Sequence, residues 1–305
     1  LVGSEMCIRD SCMTVAEAPG VDDAAFERYA GKNGYFSMIF DFGWENMEGE
    51  NDKSSIHAVE RWKKKMFTHV AHNSGIGWSA IFLENHDQSR CLNKFLEREN
   101  ISFYSASALA SIYFFLYGTP FIYQGQEIGM TNVKWKNIND MDDIRAKRTY
   151  EEAVGQGKDP DEVLAYFSEL GRDNARTPMQ WDDSENGGFT CGKPWIKCND
   201  NYRTINAQSE VNDPDSLYNY YKRLIQCYHD HADIVRQAEF RPMYEEYPGL
   251  FAYEREVDGK GLLVIVNFTN EKLMFQKIDQ KCVLCNYHET ESEWLQPYEA
   301  RIYSK

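Results

Sequence analysis

Glu17, His86, Asp87, Arg90, Gln124 and Glu127 share a position type: each closes a run that reads as a buried strand. "MTVAE" ends at Glu17, "AIFLENHDQSR" at His86, Asp87 and Arg90, and "PFIYQGQE" at Gln124 and Glu127. In parallel α/β folds, reacting groups collect where strands end and βα loops begin. Carboxylates on neighbouring strands are what acid–base work on a glycosidic bond requires. One carboxyl stays protonated to serve the leaving oxygen, and a second negative charge stabilises the developing oxocarbenium cation. Each residue also has a plain structural account. Glu17 fits a solvated turn, Asp87 a helix N-cap, His86 a satisfied core histidine and Glu127 a structural contact. Their combination argues for a site, because burying two carboxylates, a histidine and an arginine together is costly unless they serve something.

The elements that would position these residues are legible in outline. A second buried run spans 35–42. "SSIHAVERWKKKMFTHV" sets Ile56, Val59, Trp62, Met66 and Val70 at helical spacing, with Ser54 or Ser55 as cap and the "RWKKK" charges as its solvated face. "SFYSASALASIYFFLYG" reads as an apolar helix ending at Gly118, and "TPFIYQGQEIGM" as a strand entering a glycine-rich turn. Strands alternating with helices predict βα units and a parallel sheet. Residues 131–215 are polar and predict one clear helix, capped by Asp159 with Pro160 in its first turn. "DSLYNYYKRLIQCYHDH" predicts another. From about Phe240 the pattern turns to β, with Asp258-Gly259 as a hairpin turn and "YEARIYS" as a closing strand of a small antiparallel sandwich.

Bulk composition bounds the function. With 305 residues, 42% hydrophobic content and net charge −15, the chain can bury a sizeable core. Its negative field makes nucleic acid and anionic membrane poor partners and favours a neutral small molecule. No apolar stretch reaches the roughly 18 residues a membrane span needs. The 8 cysteines are scattered; "CVLC" (Cys282 and Cys285) lacks the second pair of a zinc ribbon. Reduced cysteines are expected, and with them a reducing, cytoplasmic compartment. "LVGSEMCIRDS" has neither helical nor strand period and does not read as a signal peptide. It resembles translated adaptor sequence, so residues 1–12 are expected to be non-native.

"MTVAEAPGV", "FLENHDQSR", "GTPFIYQGQEIGMTNV" and "GRDNARTPMQWDDSENGGFTCGKPW" resemble the α-amylase superfamily, glycoside hydrolase family 13, in its oligo-1,6-glucosidase and α-glucosidase branch. The resemblance runs from about Met13 to the C-terminus and rests chiefly on the long "GRDNARTPMQWDD" string. It implies the C-terminal half of a (β/α)8 TIM barrel, strands five to eight, over residues 13–235, followed by an antiparallel β-sandwich over 236–305. It implies Glu17 as general acid/base and Asp87 as the aspartate that grips sugar hydroxyls and stabilises the transition state. His86 then bonds the same ring, and Arg172 closes the glucose pocket that makes such enzymes exo-acting. Arg176 and Trp181 are expected to be scaffold. The activity implied needs no cofactor; superfamily members often bind calcium, but no metal ligands are read from this part of the sequence, and the partner is a short gluco-oligosaccharide.

Two departures qualify the resemblance. Its members attack the anomeric carbon with an aspartate on strand four, two residues after an arginine, and nothing before Glu17 matches. The chain is therefore expected to be the C-terminal part of a longer enzyme, inactive and poorly folded alone because half a barrel leaves open sheet edges. Arg145 also stands where relatives selective for α-1,6 bonds carry an acidic residue. Rival functions are a sucrose isomerase, although "CLNKFLEREN" is not the Arg-Asp-rich loop of those relatives, a catalytically dead transporter-type subunit, and a sugar-binding protein without turnover.

Overall fold

The computed structural model describes residues 12–44, 47, 52–289 and 293–305. The expected non-native stretch therefore lies almost wholly outside the described residues. Short runs rich in apolar residues form β1 (Val15–Glu17), β2 (Met38–Phe40), β3 (Ser79–Ile81) and β4 (Thr119–Pro120). They pair in that order, all parallel. The connections carry α1 (Asp23–Ala30), α2 (Ile56–Ser74), α3 (Cys91–Phe95) and α4 (Phe103–Phe114). Three of these helices start at a side-chain cap: Asp22 accepts from Ala25 N at 2.8 Å, Ser55 from Ala58 N at 3.3 Å and Ser102 from Ser105 N at 3.2 Å.

Two sequence expectations need correction here. The fourth strand is shorter than "TPFIYQGQEIGM" suggests. Gly125 and Gly129 take left-handed φ values of 88° and 73° and turn the chain into a 3-10 turn, Gln126–Ile128, before a longer ladder can form. Likewise, "RWKKK" is not uniformly solvated. Lys63 is buried and donates to the Tyr247 carbonyl at 3.1 Å while pairing with Glu60 at 2.7 Å. Its stem covers apolar surface while its ammonium joins the helix to the later β-domain.

The polar middle of the chain holds more helix than its pattern suggests: α5 (Ile144–Gly155), α6 (Pro160–Leu170) and α7 (Ala207–Asn212). Asp159 and Pro160 open α6 as expected. Asp143 caps α5 and Asn206 caps α7. After α8 (Leu217–Asp230) and α9 (Ala232–Gln237), the chain builds β5 (Glu239–Pro242), β6 (Leu250–Val257), β7 (Lys260–Asn267), β8 (Leu273–Met274), β9 (Lys281–Cys285), β10 (Trp294–Leu295) and β11 (Ala300–Ser304). Five of them form a sheet in the order β5-β6-β7-β11-β9, antiparallel throughout, and β10 pairs with β8. Asp258 and Gly259 make the β6–β7 turn with φ values of 50° and 76°, the doubly positive geometry of a tight hairpin.

One apolar core joins the parallel sheet's helices to the β-domain. Trp62 and Phe67 of α2 meet Phe251 of β6 at ring distances of 4.9 and 6.0 Å. Arg255 of β6 is fully buried beside this core. Its guanidinium donates to the carbonyls of Phe115, Val235 and Ala238 and lies 5.2 Å from the Tyr117 ring. Burial pushes its pKa down to about 10, so it stays cationic at neutral pH. Arg255→Ala would leave three buried carbonyls without this donor. At about 1 kcal/mol each, a loss of roughly 3 kcal/mol is expected, read as a lower denaturant midpoint.

Candidate functional site

Glu17 is the last residue of β1 and is exposed. His86 and Asp87 lie shortly beyond the C-terminal end of β3, with side chains 59% and 39% exposed. The parallel sheet thus brings all three to the same edge. Strands β1 and β3 flank β2, so at about 4.8 Å per step they stand roughly 10 Å apart. Glu17 and His86 line one cavity of about 190 Å³ together with Phe40, Phe82, Glu84 and Tyr123. Its floor is aromatic: Phe40 meets Phe82 at 5.3 Å and Phe121 at 4.7 Å, both edge to face. Among the described residues lining this cavity there is no lysine or arginine.

Asp87 is fixed from several directions. Its backbone N donates to Asn85 Oδ1 at 2.9 Å. Its carboxylate takes Arg172 Nη1 at 3.2 Å and a short contact from Arg176 Nη2, and His86 Nε2 stands 3.5 Å away. Arg176 Nε also donates to the His86 carbonyl at 2.8 Å. The 3-10 turn Arg172–Arg176 thus carries both arginines onto Asp87. Trp181 is half exposed.

The other strand-end residues divide differently from the sequence reading. Arg90 is not in the open site. It is fully buried, pairs with Glu84 at 3.0 Å and donates to the carbonyls of Gln124 at 2.7 Å and Asn174 at 3.3 Å. It therefore ties the ends of β3 and β4 to the Arg172–Arg176 turn. Glu127 accepts from Gly125 N at 2.8 Å, and burial pushes its pKa up. At the end of β2, Asp41 is bonded by His69 at 2.7 Å and Asn73 at 2.9 Å. Burial raises its pKa, but the His69 and Asn73 contacts outweigh that and hold it low.

Sequence reasoning missed Asp143 and Asp173. Asp143 grips Arg172 through two bonds of 2.7 Å. Asp173, fully buried, accepts from the backbone N of Asp142 and Asp143 at 2.7 and 2.8 Å. The only local signal was Asp143 as a helix cap, which says nothing of its distant partner. Among the described residues, no group of three or more His, Cys, Asp or Glu could hold a metal ion, and no helix is long and apolar enough to cross a membrane.

Four parallel βα units with carboxylates and arginines at their C-terminal edge, leading into an antiparallel β-domain, fit part of a (β/α)8 enzyme barrel followed by a β-domain. The profile of the alpha amylase catalytic domain matches residues 3–238, and the chain belongs to that family, glycoside hydrolase family 13. Within it, the oligo-1,6-glucosidase of Parageobacillus thermoglucosidasius is 38% identical, covering 98% of this chain and 56% of its own length. A trehalose-6-phosphate hydrolase from Bacillus licheniformis superposes with a TM-score of 0.86 at 32% identity, covering 96% of this chain and 56% of that one. The isomaltulose synthase of Protaminobacter rubrum gives a TM-score of 0.86 at 30% identity, covering 99% and 57%. The chain spans little more than half the length of the curated relatives it matches.

Proposed function

We propose that this chain supplies the acid/base and transition-state-stabilising part of a retaining, exo-acting α-glucosidase. Its substrates are short gluco-oligosaccharides joined by α-1,6 or α-1,4 bonds. Glu17 protonates the leaving oxygen and later deprotonates the attacking water. Asp87 holds the sugar hydroxyls and the cationic transition state, His86 bonds the same ring, and Arg172 closes the pocket. The observation that carries this reading is the meeting of Glu17 with His86, the chain neighbour of Asp87, across one small aromatic-floored cavity whose lining does not itself include Asp87 or Arg172. At about 190 Å³ it is well below the roughly 300–1,000 Å³ of drug-sized sites, which favours a single ring at its base.

A retaining mechanism needs a nucleophilic carboxylate, and none in this sequence matches the family's strand-four motif. The chain alone is therefore proposed to be inactive. Seven free cysteines among the described residues support a reducing, cytoplasmic setting.

The likeness to an isomaltulose synthase favours one second reading, rearrangement of sucrose. Both are tested on the polypeptide translated from the full-length transcript. Hydrolysis of isomaltose and maltose with release of α-glucose is expected, and no turnover by the 305-residue chain alone. Isomaltulose as the main product from sucrose would replace the hydrolase reading with the isomerase one. No turnover of any of these sugars would remove both.

A further inference from the structure

The glucosidase reading gives Arg172 the task of closing a glucose pocket, and the structure shows what aims that arginine. Asp143 Oδ2 takes Arg172 Nε, and Asp143 Oδ1 takes Nη2, both at 2.7 Å. This two-bond grip fixes the plane of the guanidinium as well as its place. Only the Nη1 edge remains, and it reaches Asp87 Oδ1 at 3.2 Å. The grip itself is anchored. The backbone N of Asp143 is held at 2.8 Å by Asp173, and Asp143 Oδ1 also caps α5 through Arg145 N at 2.9 Å. Exposure grades accordingly: the Asp143 side chain is 7% exposed, against 36% for Arg172 and 39% for Asp87. The Arg172 hydrogen bond also holds the Asp143 carboxyl below the usual carboxylate range.

We propose that Asp143 is a positioning residue for sugar recognition. By occupying one edge of the Arg172 guanidinium, it turns the other edge toward Asp87 and the ring bound there. The N-terminus of α5 thereby becomes part of the recognition apparatus without touching substrate. This rests on the glucosidase reading, which it deepens by naming the group that sets the pocket arginine.

A merely structural role for Asp143 is separable, because its two jobs have different steric needs. Ser caps a helix as well as Asp does but is too short to reach Arg172, and Asn keeps the cap and one arginine bond without the charge. In the full-length protein, D143S is expected to raise KM for maltose about 10- to 100-fold, the range for losing charge-assisted hydrogen bonds, with a smaller change in kcat. D143N should fall between D143S and the parent. R172A and the D143S/R172A double variant should lose equally, because Asp143 acts only through Arg172. Glucose affinity by titration calorimetry gives the same comparison without turnover. Additive losses in the double variant, or unchanged KM and glucose affinity in D143S, would overturn the proposal. If the parent protein neither turns over maltose nor binds glucose, the glucosidase reading fails and this one with it. If the parent binds glucose and D143S binds it equally, only the role of Asp143 fails.

Discussion

Glu17→Gln is expected to lower kcat on maltose and isomaltose by about 10³- to 10⁴-fold in the full-length protein, the range of a well-placed general acid. The loss should shrink sharply on aryl glucosides whose leaving group departs without a proton. Bond cleavage then no longer needs Glu17, although the second step, attack by water, still does. Azide separates the two steps, because it is anionic and needs no base to attack. On an activated aryl glucoside it should restore turnover of Glu17→Gln and yield α-glucosyl azide, since it enters on the face that water uses. Equal loss on every substrate, with no azide product, would remove Glu17 from the acid/base role. The variant should keep its fold. Glu17 is exposed at the end of a short strand, and surface substitutions of that kind change stability by less than about 0.5 kcal/mol.

What was legible in the sequence follows from the range of the interactions involved. Strand ends and helix starts are local: Val15–Glu17, the Ser55 cap and the Asp159–Pro160 opening each need only neighbouring residues. The parallel sheet and the β6–β7 hairpin followed from such signals. The partners of charged groups were not legible, because they are set by packing across the chain. Arg90 looked like site chemistry, yet its charge is met by Glu84 and by carbonyls of two other segments. Lys63 looked solvated, yet its ammonium meets the carbonyl of Tyr247, 184 residues away. Arg176 gave no sign of its partners, and only the 3-10 turn that brings it over His86 and Asp87 reveals them. The α5 helix was missed for a related reason. Ala146 is its one buried residue, so its apolar period is faint, and its start is fixed by Asp143, whose other partner is 29 residues on.

Asp87→Asn tests the other half of the proposed site, and here two opposing effects can be ranked. The substitution keeps size and an acceptor oxygen but removes the negative charge facing Arg172 and Arg176. Those pairs are partly exposed, so their loss should cost the fold no more than about 1 kcal/mol. Arg172 also retains Asp143, and Arg176 retains Asp173 at 3.8 Å, so neither cation is stranded. On the proposed reading, the same charge faces a developing oxocarbenium ion in the transition state, where a preorganised charge has a far larger effect. A fall in kcat/KM of about 10²- to 10³-fold is therefore expected, with a melting temperature close to that of the parent. A variant that melts much lower, with activity lost only in proportion to unfolding, would make Asp87 a clamp for the two arginines. A variant that is stable and fully active would remove it from the site. Asp87→Ala sharpens the choice, since it deletes the hydroxyl-gripping oxygens as well as the charge and should be slower still than Asp87→Asn.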